Sequence, residues 1–528
     1  MSETSPRALP PDWASTELSK IAEINPPLDR CVVSDNVPVD FVPMRAVEPE
    51  GGGLLRPEVS TYGKVKKGYT AFVPGDVIMA KITPCMENGK TCVVPELPGA
   101  VCFGSTEFHV LRAECGIEAR WIANYLLQRS TRHAAQRQMA GGVGQMRVPS
   151  AFLETLIVPV PSDSEQTRIL DTLDELLSDL NAGVAALERV RAKLKHYRAA
   201  VLKAAVEGAL TAEWRRQHSA AEPASTLLRR ILAERHRRWE ETQLAKFQAA
   251  DKRPPKDWKA NYPEPTAPDI AQIWPLAEGW CWASVDMAIV SPIVNGISIK
   301  GSKTPPGIAS LRLSAMTENG FDYTQRRYLP LKTTDVDDLW IQAGDFFVCR
   351  GNGSKKLVGR GTLAQEPKEE VIFPDTMMRL TLSPILRATN WIPTIWSSNI
   401  VRTQVERAAK TTAGIWKVAQ PDLARIVIPL PPLAEQAAII EAVEDQLSVI
   451  EHLEGDLDAK LKSANALRQS ILRDAFSGQL VPQDPDNEPA SELLKRIATE
   501  REERIRLIAA ARRAKPKAKA LHRRAAKN

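Results

Sequence analysis

Several stretches of the chain carry residue types that could do chemistry, and each lacks a part. Gly296-Ile297-Ser298-Ile299-Lys300-Gly301-Ser302-Lys303-Thr304 has the glycines, lysine and hydroxyls of a phosphate-cradling loop, but Ser302 displaces the lysine from its place. Gly351-Asn352-Gly353 runs into Ser354-Lys355-Lys356 with no ordered glycine beyond it. Both read as plain loops. Cys85 and Cys92 could give a metal two thiolates, yet no second Cys or His pair lies near them, so no metal site is expected. The Asn/Asp-Pro-Pro-aromatic element of a base methyltransferase is absent. The 7 histidines offer no Ser/His/Asp triad, and no paired carboxylates stand out. The chain reads as non-catalytic, with no cofactor of its own.

Binding has more to work with. Arginine suits guanine edges, Asn and Gln suit adenine, and lysine suits phosphates. Such residues cluster in glycine-rich loops: Lys64, Lys66, Lys67, Lys81, Asn88, Lys90, Arg137, Gln145 and Arg147 in the first half of the chain. The second half offers Arg350, Asn352, Lys355, Lys356, Arg360, Lys410 and Lys417. Singly, each is an ordinary solvated charge; as clusters at equivalent loops they point to DNA. Trp416, between Ile415 and Lys417, is read as core rather than as a stacking platform.

The loops are equivalent because the chain is one unit written twice. With a shift of about 267–270 residues, Leu9-Pro10-Pro11-Asp12-Trp13 falls on Leu276-Ala277-Glu278-Gly279-Trp280, and Gly75-Asp76-Val77 on Gly344-Asp345-Phe346. Glu165-Gln166 falls on Glu435-Gln436, and Glu222-Pro223-Ala224-Ser225 recurs as Glu488-Pro489-Ala490-Ser491. The segments 159–225 and 429–491 agree closely, whereas 28–150 and 293–415 share a thin set of Gly, Asp and apolar positions. A common scaffold with divergent surfaces fits two readers of different targets.

Each half opens with a mixed region: strand-like runs at Val77–Ile82, Val101–Leu111 and Leu156–Val160, and a helix over Ala119–Gln138. Each then continues as a long helix, roughly 165–207 and 435–477, about 65 Å long at ~1.5 Å per residue. Heptads place Leu173, Leu180, Leu187, Leu194 and Val201 at a, with Leu176, Gly183, Val190 and Tyr197 at d. In the second helix a holds Val443, Ile450, Leu457, Ala464 and Ile471, and d holds the weaker set Gln446, Leu453, Lys460 and Leu467. A helix-pair seam through Leu173, Leu180, Leu187, Leu194, Val443, Ile450 and Leu457 is expected. Charged arms follow at 224–247 and 491–513, and the Pro-rich stretch Lys252–Pro275 reads as a linker.

With 528 residues, several domains are needed. The boundaries read from the sequence are a first recognition domain (1–160), a first long helix (161–215), an arm and linker (216–275), a second recognition domain (276–431), a second long helix (432–482), and an arm with a basic, disordered tail (483–528). That tail holds eight Lys or Arg between Ala510 and Asn528; subtracting them from the net +6 leaves −2 for the rest. Any nucleic-acid surface is therefore local. Seven scattered cysteines, the absence of an apolar run of membrane length, and an opening unlike a signal peptide point to a cytoplasmic protein.

At this point the chain resembles a known family. Ile157-Val158-Pro159-Val160-Pro161…Glu165-Gln166…Ile169 and its twin Ile428-Pro429-Leu430-Pro431-Pro432-Leu433…Glu435-Gln436…Ile439 are similar to the boundary motif of type I restriction–modification specificity subunits. So are Gly75-Asp76-Val77-Ile78…Lys81-Ile82-Thr83-Pro84 and Gly141-Gly142-Val143-Gly144-Gln145-Met146-Arg147-Val148-Pro149. The resemblance spans nearly all of residues 9–480. It implies a mixed α/β chain with two target-recognition domains separated by an antiparallel coiled-coil pair of helices and a pseudo-twofold internal repeat. It also implies a split duplex-DNA target in a prokaryotic cytoplasm, adenine methylation by two S-adenosylmethionine-dependent methyltransferase subunits, and phage restriction by subunits using ATP and Mg. The rival reading is a non-catalytic coiled-coil scaffold that binds protein alone.

Overall fold

A tryptophan indole held by a buried glutamate joins each mixed region to the helix that follows it. Trp13 Nε1 donates to Glu165 Oε2 at 3.0 Å, and Trp280 Nε1 donates to Glu435 Oε2 at 2.8 Å. Around these joints the computed structural model describes residues 9–27, 34–98, 101–142, 145–271, 273–317, 320–412 and 414–525. The chain divides into two compact units: Met1–Glu188 with Asp458–Asn528, and Arg189–Leu457. The division falls inside both long helices, Asp163–Val206 and Leu433–Phe476, rather than at the Pro-rich stretch. Each unit is mixed α/β.

In the first unit one sheet orders its strands as Ala22–Ile24, Phe108–Ala113, Val77–Ala80, Thr91–Val93. A second orders Glu58–Thr61, Pro38–Val42, Cys102–Gly104, Thr70–Phe72. In the second unit Val294–Asn295, Met377–Leu380, Phe346–Cys349 and Gly361–Leu363 repeat the order of the first of these sheets. Both units close with the same two-stranded ribbon: Ala14–Glu17 pairs antiparallel with Ile157–Val160, and Cys281–Ser284 with Val427–Leu430. The paired Gly-Asp motifs are turns, since Asp76 accepts from the Val73 amide and Asp345 from the Gln342 amide.

The Glu-Gln pair at the start of each long helix explains its recurrence. Glu165 accepts from Trp13 and Gln483, and Gln166 bridges the Glu118 amide and the Gly116 carbonyl. Glu435, fully buried, accepts from Trp280, Thr211 and Arg215; Gln436 accepts from Thr389 and donates to the Pro431 carbonyl. A carboxylate in the first helical turn also sits in the favourable end of the helix dipole. Beside the joint, Trp121 and Trp391 each donate an indole N–H, at 2.9 Å, to the carbonyls of Pro159 and Pro429. Gly208 and Gly478 end the long helices at φ +72°, where a Cβ would meet Arg215 and Trp280 in one case and Pro10 in the other.

Along the helices the buried stripe keeps the expected a positions and departs from the expected d positions. Leu173, Leu194 and Val201 are buried, and Leu180 and Leu187 partly so. Their companions are Leu177, Val184, Arg191 and Arg198, each four residues on and partly buried. Leu176, Val190 and Tyr197, expected at d, are exposed, as are Leu453 and Leu467 on the second helix. Val443, Ile450 and Leu457 are buried, with Leu447, Glu454 and Leu461 beside them. Spacings of three and four both fit 3.6 residues per turn, so an apolar residue on either flank of a stripe mimics the other. Within the first unit Leu173 shares a core with Ile471 and Leu472, and Arg468 donates to Asn181. Within the second, Arg198 lies 3.3 Å from Glu454 and Tyr197 donates to Gln446.

Other expectations need correction. The helix expected over 119–138 is two, Ala119–Leu127 and Arg129–Arg137, with extended Gln128 between them; the Arg129 amide donates to Gln469 Oε1 rather than to a helix carbonyl. The run 101–111 breaks into two strands around Ser105–Glu107. The Pro-rich stretch does not hang free: Trp258 stacks on Trp239 of the arm helix Ala224–Ala249, Tyr262 packs on His236, and the Thr266 amide donates to Asp286. The final arm is helical over Ala490–Ala525, a range that takes in the segment expected to be disordered. Among the described residues no helix is long and apolar enough to cross a membrane.

The arms dock. Arg235, in the first arm, donates to the carbonyl of Asp286, and Arg501, in the second, to that of Ser19. Arg504 adds an ion pair to buried Glu114 at 2.7 Å.

Two outcomes follow from these contacts. Arg215→Met leaves the buried Glu435 carboxylate its Trp280 and Thr211 donors but takes its arginine, and is expected to destabilise the second unit by about 2–3 kcal/mol, at the low side because Arg215 is 21% exposed. Arg215→Met with Glu435→Gln should recover most of that in urea denaturation. His109, buried, donates from Nε2 to the Val148 carbonyl and accepts at Nδ1 from Asn25. Burial, with some repulsion from Lys81, holds its pKa below the usual 6.5 against the Val148 hydrogen bond. Below that value the unfolded chain binds the extra proton first, so stability falls as pH drops from 6.5 toward 4.5, before Glu107 enters its own range. Thermal melting should show His109→Gln losing less stability than the parent across that window.

Candidate nucleic-acid interface

In both units the chain leaving a central strand runs beside a returning hairpin. In the first, Ala140 and Arg147 exchange both backbone hydrogen bonds, and Arg147 also bridges to Ile82. Val148 donates to the Lys81 carbonyl at 2.9 Å and Thr83 to the Met146 carbonyl at 3.0 Å. Gly141 has φ +136°, and a Cβ there would stand 2.7 Å from the Gln145 carbonyl, so the hairpin needs glycine at this point. Val143 and Gly144 lie outside the described residues.

In the second unit the strand Gly351–Asn352 pairs with Ile415–Lys417, which pairs in turn with Lys410–Thr412. Val418 donates to the Arg350 carbonyl at 3.0 Å, as Val148 does to Lys81. The same joint thus sets Lys81 beside Arg147, and Arg350 beside Lys417.

The expected residues separate into groups. Lys81, Gln145 and Arg147 come together at the first hairpin, with Gln145 exposed and the other two partly buried. Arg137 is exposed at the end of its helix, and Asn88 is exposed in the loop after Lys81. Lys90 turns inward, its Nζ donating to the Met44 carbonyl at 3.0 Å, which gives it a structural task. Lys64, Lys66 and Lys67 belong to the turn between Glu58–Thr61 and Thr70–Phe72, in the other sheet, and Lys66 pairs with Asp35 at 2.5 Å. The structure does not bring these three to the hairpin.

In the second unit Lys410 and Lys417 are directly opposed, exposed cross-strand neighbours. Lys355 holds its ammonium 4.9 Å from the centre of the Trp416 ring. Trp416 is half-buried and packs on the core with its remainder, so the core reading holds for only part of the ring. Arg350 donates to the Asp375 carbonyl, Asn352 accepts from the Ser354 amide, and Lys356 is exposed. Arg360 is partly buried just before the strand Gly361–Leu363.

Three residues escaped the sequence reading. Arg132 donates from Nη1 to the Glu87 carbonyl and is clasped by Glu50 at 2.9 Å on both terminal nitrogens. Arg402, at the shift of 270, donates to the carbonyls of Val358 and Lys356. Each arginine fastens the loop beside its hairpin. Their matching positions were the only sign of this in the sequence. The third is Glu107, which holds Arg147 through two bonds of 2.8 Å. That contact, opposed by partial burial and aided by Lys81, keeps the Glu107 carboxyl below the ordinary glutamate range.

The suspect catalytic motifs stay structural. Cβ atoms at Gly296 and Gly301 would strike the Phe373 and Tyr328 carbonyls at 2.1 and 2.5 Å, so these glycines serve packing. Burial pushes the Cys92 thiol to about 12, away from the thiolate a metal needs. Among the described residues no three His, Cys, Asp or Glu side chains are grouped to hold a metal. Cys31 lies outside the described residues.

Comparison with known proteins agrees with the geometry. Residues 55–189 match the type I restriction modification DNA specificity domain. The chain is 27% identical to the EcoEI specificity subunit of a type I restriction enzyme from Escherichia coli, over 88% of this chain and 84% of the relative. It is 26% identical to the EcoKI specificity subunit of Escherichia coli strain K12, over 85% and 88%. Its fold is similar to that of a chain from a structural study of complex assembly and conformational transition of the type I R-M system, with a TM-score of 0.55 and 17% identity over 90% of this chain and 100% of that one. Along most of its length the chain is thus similar to specificity subunits of type I restriction enzymes.

Proposed function

We propose that this chain reads a split duplex-DNA target, one half-site by each unit, and so directs adenine methylation and restriction by partner subunits. The observation that carries the reading is the hairpin joint built twice with different side chains: Lys81, Gln145 and Arg147 in one unit, Arg350, Lys410 and Lys417 in the other. Like charges directly opposed across a hairpin repel, as Lys410 and Lys417 do, and a phosphate between them removes that penalty. The long helices act, in this reading, as an antiparallel coiled-coil spacer related by a pseudo-twofold axis. Half-sites on one face of a duplex recur about every 10–10.5 bp, a distance a rigid rod can fix.

The methyltransferase subunits bring S-adenosylmethionine, and restriction subunits bring ATP and Mg. Val449 and Leu453 stand exposed on the second unit's helix segment beside Val190 and Tyr197, and Leu467 and Leu176 on the first unit's. Apolar residues left out of the seam suit helices of such partners. Leu453→Asp with Val449→Asp is expected to abolish co-purification with a methyltransferase subunit while leaving the melting temperature unchanged.

The decisive experiment exchanges residues 9–160, or 276–430, for those of a relative and sequences the methylated DNA. One half of the motif should change with each exchange and the other half persist. A motif unaffected by either exchange overturns the proposal. Binding should also weaken steeply with salt, at a logarithmic slope of about −0.9 per phosphate contacted. A protein-binding scaffold would show no such dependence.

A further inference from the structure

Glu107 and Arg147 form a directed polar pair at the first hairpin. Arg147 gives Nε–H and one Nη2–H to the two Glu107 oxygens, each at 2.8 Å, and an Nη1–H to the Gln145 carbonyl at 3.2 Å. A guanidinium has five N–H bonds, so one hydrogen on each terminal nitrogen stays unspent. The side chain is 41% exposed although two of its neighbours fix it. A surface ion pair of this kind adds little stability, and its geometric effect is the larger: it holds a planar donor fork in one orientation.

The surroundings reinforce that orientation. Gly141 lets the Gln145 carbonyl approach, and the backbone on either side of Arg147 is tied to Ala140, Ile82 and Lys81. The second unit has no counterpart. The Lys81 amide donates to the Glu107 carbonyl as the Arg350 amide does to that of Thr376, so Glu107 corresponds to Thr376, and Arg147 to Lys417, an exposed ammonium with no carboxylate at the position equivalent to Glu107. The two units therefore differ in kind where their scaffolds agree.

We propose that Arg147 reads a guanine in the half-site of the first unit, presenting its two free terminal hydrogens to the O6 and N7 acceptors, and that Glu107 is the positioning residue that aims it. This rests on the DNA-recognition reading above. A lysine reaches the same acceptors as a flexible point charge without a planar fork, so the second unit lacks this aimed contact at the equivalent position.

The test selects bound duplexes from a randomised pool with the full chain and its methyltransferase subunits, comparing the parent with Arg147→Lys, Arg147→Gln and Glu107→Gln. The parent should yield a split motif with a fixed guanine in one half. Both Arg147 variants should lose about tenfold or more of the preference at that single position, with the other half-motif intact. Glu107→Gln should relax the same position by less, because the amide still accepts from Arg147 but no longer binds it as an anion. Retention of every base preference in the Arg147 variants overturns the proposal. So does an even loss of affinity across all sequences, which marks a phosphate contact, and so does loss of the whole half-motif, which marks a structural role. Failure of the parent to select any split motif overturns the DNA-recognition reading itself.

Discussion

The chain depends on burying a glutamate at the first turn of a long helix and satisfying it with a tryptophan from the start of a globular region. A helix more than forty residues long is a lever, and a loose attachment at one end would scatter whatever the globular region presents. Trp13–Glu165 and Trp280–Glu435 remove that freedom, since each carboxylate is too costly to leave unpaired in the interior. The two joints are satisfied differently. Arg215 and Thr211 complete one, Gln483 the other, so one is an ion pair and the other relies on neutral donors and the helix dipole. Each also recruits residues distant in sequence: Gln483 lies 318 positions from Glu165.

From those joints outward the order of rigidity favours recognition. The ribbon 14–17 with 157–160 fixes the end of the globular region, the sheet fixes the central strand, and the hairpin is tied to the chain leaving that strand. Side chains at the hairpin and the adjoining loop are then free to vary. Arg132 and Arg402 fasten those loops from behind, by backbone carbonyls and not by the side chains facing outward. A surface can change on such a frame without disturbing it.

What the sequence made legible was what repeats. Trp13 and Trp280, the Glu-Gln pairs, the Gly-Asp turns and the long helices all announced themselves by recurring at one shift. The buried stripe of the long helices was half legible: Leu173, Leu194, Val443 and Ile450 are buried, but Leu176, Val190 and Tyr197, as apolar as their neighbours, are exposed. Arginines were read as surface readers by composition alone, and the two that hold loops sit on helices where composition says nothing. Lys90 was read with the cluster of basic and amide residues in glycine-rich loops, yet its ammonium is committed to Met44. Side-chain direction, which decides between a reader and a brace, depends on packing that no local pattern encodes.

The arms bear on how such a molecule can change over time. Arg235 and Arg501 grip carbonyls of Asp286 and Ser19, the Ala224 and Ala490 amides donate to the carbonyls of Gly279 and Asp12, and Trp121 and Trp391 hold carbonyls of proline. Every peptide offers a carbonyl, whatever its side chain. Couplings of this kind are blind to side-chain identity, so a globular region of foreign origin that brings its own tryptophan for the buried glutamate can use them unchanged. The chain is built like a tool holder, with fittings that recognise the shape of a shank and ignore the bit it carries.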